Sequence, residues 1–446
     1  MTALDTHREQ NADEAKIVEI EKQIEAAGVE FIYYQVVTVS GRVLSKVVPA
    51  RHLRRNLHKG VLLHRTGIAD LQANRAGDLM GGGAGAAEFN AVPDIDTFQV
   101  LPWDTSLARF FCTLFEPDHR VGNGGSPFDA DARGVLKRTH AEFTQATGLV
   151  LKTGCEPEMT WTGPGLEVHV RPDASPAYHF EQLERMRPIY QSLIRYSQAM
   201  GLDMIEGDYE DSGQLELNWM FDRAELTADR LMTYRLICKQ VAREHGVTAS
   251  FMPKPAMGTM GNGCHHNLSL WDGEANALED GSSELHLTPI GRDALAGLLH
   301  HAAGSMIVMG QTVNSYKRYW DIGQFAPTKI DWGMDDKTCT VRLPAVGRLE
   351  YKLPDASVNP YLSHTLLLAA MRDGIDRKLP LDNTEFPALP KTLWDAIGAF
   401  EQDKEMRSAF PAGLSDLLIE AKTDEWARFC GAVTDWEHMM YSEATP

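Results

Sequence analysis

Apolar residues recur along this chain with two periods, and the changes of period mark its elements. Residues 14–27 place Ile17, Ile20 and Ile24 on one helical face. Residues 31–37 and 43–48 are β-branched and aromatic runs joined through Ser40 and Gly41, which predicts a hairpin. Residues 59–85 read as loop, and residues 110–115 as a strand. Beyond the turn-rich residues 119–127, helical spacing returns at 129–147, strand character at 149–161, and long amphipathic helices at 181–200 and 224–245. Thr288 and Pro289 pair an N-cap with the residue favoured at the first helical position, opening an apolar helix that runs to Val313. Helices at 360–377 and 391–400 and a charged tail at 416–441 close the chain, whose polar first residues are expected to fray. The order predicts an α+β fold, with a small β-rich domain over 1–121 and a larger mixed domain over 122–446.

Four short runs alternate strictly, and their polar faces are unusual. Glu156 and Glu158 lie two apart, and Gln214, Glu216 and Asn218 alternate with Leu215 and Leu217. His265, Asn267 and Ser269 point one way while Cys264, His266 and Leu268 point the other. Arg348, Glu350 and Lys352 share a face with Leu349 and Tyr351 behind them. Any one of these is a half-exposed sheet strand with a solvated face. Four together, rich in glutamate and carrying one histidine, make a polar basin whose carboxylates would repel one another without cations among them. Oxygen-rich sets with one imidazole suit Mg²⁺ or Mn²⁺, and such ions bridge nucleotide phosphates. Glycines 258, 261 and 263 let backbone approach a ligand just ahead of His265, and Arg318, Lys337, Arg342 and Arg348 supply groups that clamp phosphates and carboxylates.

Composition narrows the partners. With 43 basic against 62 acidic residues the formal net charge is −19, which argues against nucleic acid or an anionic membrane as partner. The six cysteines are scattered with no CxxC pair, so neither a disulfide framework nor a zinc ribbon is indicated. No secretory signal is evident, and the apolar stretch 294–313 is interrupted by His300, His301, Ser305 and Gln311, so a cytoplasmic protein without a membrane span is expected. The glycine run at 81–85 lacks the Lys-Ser/Thr of a phosphate loop.

Taken in order, GluProGlu at 156–158, GlyGlnLeuGlu at 213–216, the LysPro…GlyAsnGlyCysHis string at 254–265, AsnSerTyrLysArg at 314–318 and ArgLeuGluTyrLysLeuProAsp from Arg348 resemble the glutamine synthetase family over nearly the whole chain. The resemblance implies an N-terminal β-grasp domain and a catalytic domain built on an open β-barrel flanked by helices. It also implies a ring-shaped homo-oligomer, a dodecamer, with active sites between neighbouring subunits. ATP and two or three Mg²⁺ or Mn²⁺ ions per site are implied. One ion would be held by Glu158, Glu210 and Glu216 and a second by Glu156, His265 and Glu350. Phe221 and Ser269 would contact the nucleotide, with Arg342 and Arg348 on its phosphate side. Arg318 would hold the substrate carboxylate, beside Gly261 and Lys352. The implied reaction phosphorylates the γ-carboxylate of glutamate and lets an amine attack the acyl phosphate.

Departures from the family pattern point to the amine. Glutamine synthetases bind and deprotonate ammonium with an aspartate from a neighbouring N-terminal domain and a glutamate on a flap. Here the first position aligns with His64 and the second with Phe325, preceded by Gln324. A cationic amine wants such carboxylates, whereas a neutral arylamine such as aniline prefers an aromatic-lined pocket. A γ-glutamylanilide synthase is therefore expected. An alkylamide synthetase using His64 as general base, an ordinary glutamine synthetase and a non-catalytic ring protein are the alternatives. Lys352 replaces an arginine and Met260 a polar residue in the substrate loop. The run from Glu210 to Gln214 is one residue short, so Asp208 or Asp211 could take the place of Glu210.

Overall fold

A computed structural model describes residues 1–166, 176–321, 325–381 and 387–443. Its strands form two sheets. In the first, strands Val43–Pro49, Phe31–Val37, Leu107–Phe115, Glu88–Pro93 and Val61–His64 lie side by side in that order, with Gln99–Val100 added to Leu107–Phe115. The expected hairpin is there, from Phe31 opposite Pro49 to Val37 opposite Val43. The second sheet has ten strands and curves into an open, barrel-like form. Its centre is the thirteen-residue strand Val150–Thr162, whose residues alternate buried and half-buried almost to its end. That strand pairs with Cys264–Asp272 on one side and Gln214–Trp219 on the other. Arg348–Tyr351 follows beyond the first neighbour and Met204–Asp211 beyond the second. The apolar faces of this sheet pack under helices Ala132–Thr147, Ala224–His245 and Pro360–Arg377, within one continuous core.

Several expectations are corrected. The N-terminus does not fray: Thr2 and Asp5 form a capping box for the helix Ala3–Asn11, which buries Leu4 completely. Residues 59–85 are not all loop, since Val61–His64 pairs with Glu88–Pro93. The apolar helix opened by Thr288 is two helices, Pro289–His300 and Ala302–Met309. The break falls at His301, whose ring is held by Asp403 at 2.7 Å and Asp373 at 3.0 Å. The helix expected over 181–200 is likewise divided, with Pro188 in the first turn of its second part.

A buried ion network joins the parts. Arg133 donates to Asp229 at 2.8 Å and to Asp94 at 3.0 Å, Lys137 reaches Asp94 at 2.8 Å, and the Tyr361 hydroxyl donates to Asp229 at 2.7 Å. Asn359 caps its own helix and also donates to the carbonyls of Thr38 and Val39 in the first hairpin. No helix among the described residues is long and apolar enough to cross a membrane.

Candidate active site

The polar faces of four adjacent strands meet in one basin of about 590 Å³. Strand register brings them together: His265 lies directly across from Glu156, Glu158 across from Glu216, and Asn267 across from Glu350. Of the residues expected to form a site, Glu156, Glu158, Glu210, Glu216, His265, Glu350, Arg318, Lys337, Arg342, Lys352, Met260, Gly261 and Phe325 all line this basin. Phe221, Ser269 and Arg348 line an adjoining cleft of about 360 Å³ that shares Glu156 and Asn218 with it. His64 does not line the basin of its own chain; it ends a strand of the first sheet with Nδ1 2.7 Å from the Thr66 hydroxyl. Gln324 lies outside the described residues.

One corner offers a compact donor set. The His265 Nδ1 stands 3.2 Å from a Glu156 oxygen and 3.4 Å from a Glu350 oxygen, and one donor atom from each residue falls within 4.8 Å of the others. Burial, with Lys352 and Arg318 nearby, holds the imidazole pKa well below its ordinary value, so the ring is neutral and free to ligate. Two carboxylates and a neutral imidazole fit a hard or borderline divalent cation. The opposite wall carries Glu158, Glu216, Asp208 and Glu210. Burial, then Glu156 and Glu158, drive the Glu216 pKa far up, and burial with Asp208 and Glu158 raises Glu210 to about 7. Seven carboxylates line the basin against four cationic side chains. That excess of negative charge is what a divalent cation relieves.

The basic groups are placed for anions. Arg318 is 4% exposed, and its guanidinium donates to the carbonyls of Leu353 and Lys352 and stands 3.3 Å from His265 Nε2. Arg342 bonds Glu350 at 3.0 Å and also Asp335. Lys352, 4% exposed, lies 3.4 Å from Glu350. Gly261 and Gly263 keep the loop tight: a Cβ at Gly261 would stand 2.7 Å from Arg318 Cγ, and one at Gly263 2.9 Å from His265 Nε2. The Gly263 amide donates to Glu158 at 2.7 Å, and Gln214 donates both to Glu158 and to the Gly261 carbonyl. In the adjoining cleft the Phe221 ring stacks on Trp271 at 5.9 Å, and Lys152 lies over the Trp271 ring.

Sequence reasoning missed Tyr178, Glu206 and Trp271. Tyr178 lines the basin with a left-handed backbone (φ 62°), its amide donating to the Tyr209 carbonyl and its hydroxyl 3.5 Å from Glu210. No periodic pattern surrounds it. The short run before Gln214 is resolved by an irregular register: Asp208 lies across from Glu216, the pairing slips between Tyr209 and Asp211, and Asp211 turns away to accept the Met260 amide at 2.6 Å. Asp208 therefore occupies the rung beside Glu216, with Glu210 further along the same face.

Residues 129–441 match the family model for the catalytic domain of glutamine synthetase. A glutamine synthetase of Rhizobium meliloti (strain 1021) is 34% identical over 403 residues, covering 82% of this chain and 91% of its own. A glutamate–methylamine ligase of Methyloversatilis universalis is 32% identical over 448 residues, covering 93% and 96%. Among solved structures, a GmaS/ADP complex superposes with a TM-score of 0.83 at 31% identity, covering 94% of this chain and 98% of that one.

Proposed function

The chain belongs to the glutamine synthetase family and is an ATP-dependent ligase of that type, and from that premise we propose that it joins a neutral arylamine such as aniline to the γ-carboxylate of glutamate. One observation carries the choice of amine. Phe325 lines the basin with half its ring exposed, at the position where the family pattern has a carboxylate. Met260 and Tyr178 line the same basin. An aromatic, uncharged acceptor gains from that lining and needs no anion to bind it.

The residue roles follow from placement. Arg318 and Lys352 hold the substrate carboxylates at the buried end. Arg342 and Lys337 face the transferring phosphoryl group and offset its charge. Phe221, Trp271, Ser269 and Arg348 form the nucleotide cleft. Glu156, His265 and Glu350 would hold one Mg²⁺ or Mn²⁺ and Glu158, Glu216 and Asp208 or Glu210 another. Such ions, when bound, draw the nucleotide phosphates toward the acids and stabilise in-line transfer. Attack by the amine nitrogen on the γ-glutamyl phosphate then releases phosphate. The partition into domains 1–121 and 122–446, a dodecameric ring and a cytoplasmic location are proposed with this reading, supported by the family match. The ring would let His64 of one subunit face a neighbour's basin.

A second reading has its own observation. Glu210 stands beside the Tyr178 hydroxyl on the basin wall and, where Asp208 takes the metal position, is a carboxyl with a pKa of about 7 that can pair with an alkylamine and take its proton. The similarity to a glutamate–methylamine ligase favours it too. Release of ADP from ATP, Mg²⁺ and glutamate, measured with aniline, methylamine, isopropylamine and ammonium, separates the two. Turnover highest with aniline supports the arylamine reading; turnover highest with methylamine replaces it with the second, and highest with ammonium overturns both.

A further inference from the structure

Behind the basin, on the opposite face of the same two strands, Cys155, Cys264 and His266 bring two sulfurs and an imidazole nitrogen together. Their donor atoms all lie within 4.8 Å of one another, and Cys155 Sγ is 3.6 Å from His266 Nδ1. Register produces the cluster: His266 lies directly across from Cys155, and Cys264 one diagonal step away, across from Pro157. None is more than 2% exposed.

We propose that this cluster is a site for a thiophilic d¹⁰ cation, zinc or copper(I), independent of the carboxylate basin. The tautomer of His266 is set for it. The Ser363 hydroxyl donates to the Pro360 carbonyl at 3.2 Å, so its oxygen accepts from His266 Nε2–H at 2.8 Å. With Nε2 engaged by Ser363, Nδ1 is the nitrogen that faces Cys155 Sγ at 3.6 Å, the arrangement in which a ligating histidine is held through its far nitrogen. His364 stacks on the same ring at 4.6 Å, but both of its own nitrogens are engaged, by Pro360 and Thr153, so it supports the ligand ring rather than joining the set. Metal–sulfur bonds of about 2.3 Å and metal–nitrogen bonds of about 2.0 Å place neighbouring donors roughly 3.5–4 Å apart, which the Cys155–His266 spacing meets.

Binding replaces the two thiol protons with two metal–sulfur bonds and releases both protons to solvent. Arg235 lies within electrostatic reach of both cysteines, its buried Nε without a hydrogen-bond partner, and is the cation nearest the cluster among those acting on it; Asp355 also acts on that guanidinium. Because the three ligands are sealed from solvent, the ion enters as the chain folds and leaves slowly. A cation here ties Val150–Thr162 to Cys264–Asp272 directly behind Glu156 and His265.

The test uses the full chain with Cys430→Ser, which removes the exposed thiol, produced in cells supplied with zinc or with copper. After exhaustive dialysis against EDTA, which empties the open basin, metal is counted by mass spectrometry and its neighbours by X-ray absorption. One zinc or copper per chain, bound by two sulfurs and one nitrogen, is expected, and the arm that retains metal identifies the ion. Cys264→Ala should abolish retention. Ser363→Ala, which frees the far nitrogen of His266 without replacing a ligand, should speed metal loss about tenfold or more. Metal-free protein from both cultures, retained metal with no sulfur neighbour, or equal retention by Cys264→Ala would overturn the assignment. If Cys264→Ala fails to fold, the sulfur count in the parent chain decides alone.

Discussion

Single residues set the geometry of this basin to within tenths of an ångström. A methyl group at Gly263 would meet His265 Nε2 at 2.9 Å and both Arg318 Nη2 and Glu158 Oε1 at 3.1 Å. Those are functional atoms, not packing atoms, so Gly263→Ala is expected to lower kcat/KM about 100-fold, the cost of displacing catalytic groups by part of an ångström. Steady-state kinetics and a melting curve on the same preparation check this; the melting temperature should barely move. Phe325 belongs to the same scale. Phe325→Glu places an anion at the proposed amine end, and one charge-assisted contact is worth about 1.5 kcal/mol, or roughly tenfold in preference. The ratio of ammonium to aniline turnover should rise by at least that factor. Gly263 was legible in the sequence by its spacing before His265, and Phe325 only through the family resemblance, as a phenylalanine where that pattern implies an acid. Tyr178 was not, because a left-handed residue outside any repeat leaves no pattern.

At the scale of elements, the alternation of four strands was readable because a period of two assigns every side chain to a face. The slip between Tyr209 and Asp211 was not, since a bulge shifts register without changing composition. Nor was the break at His301, in a run that reads as one apolar helix. Burial pushes the His301 pKa down, and the hydrogen bonds to Asp403 and Asp373 outweigh it, so the net shift is upward from 6.5. Asp403 is shifted down, the matching change in its partner. A histidine raised on folding contributes stability that is complete below its unfolded pKa and is lost as pH rises through the folded one. Urea midpoints of the parent and His301→Gln should therefore differ most near pH 6 and converge above about pH 8. The carboxylate wall predicts the opposite partner: Mn²⁺ or Mg²⁺ should raise the melting temperature, and Glu216→Gln should reduce that gain, because the neutral amide no longer needs a cation beside it.

Across the whole molecule, one apolar core runs through both sheets, and charges that the sequence presents far apart add a buried network to it. Arg133 answers to Asp94 and Asp229, and Tyr361 closes the network from the helix Pro360–Arg377. Removing the buried guanidinium takes away the ion-pair partner of Asp229 and leaves Asp94 with Lys137 alone, so Arg133→Ala is expected to cost about 3–5 kcal/mol in denaturant stability, whereas Arg54→Ala, at two exposed pairs, should leave the midpoint unchanged. The basin and the adjoining cleft, the proposed nucleotide site, share Glu156, Glu206 and Asn218 on this frame. The proposed choice of amine rests on one aromatic residue of the basin, Phe325. The most direct test offers aniline and ammonium together, at equal concentration, to one preparation with ATP, Mg²⁺ and glutamate, and measures the products by mass spectrometry. γ-Glutamylanilide in excess over glutamine is the expected result. Glutamine as the main product would contradict the account.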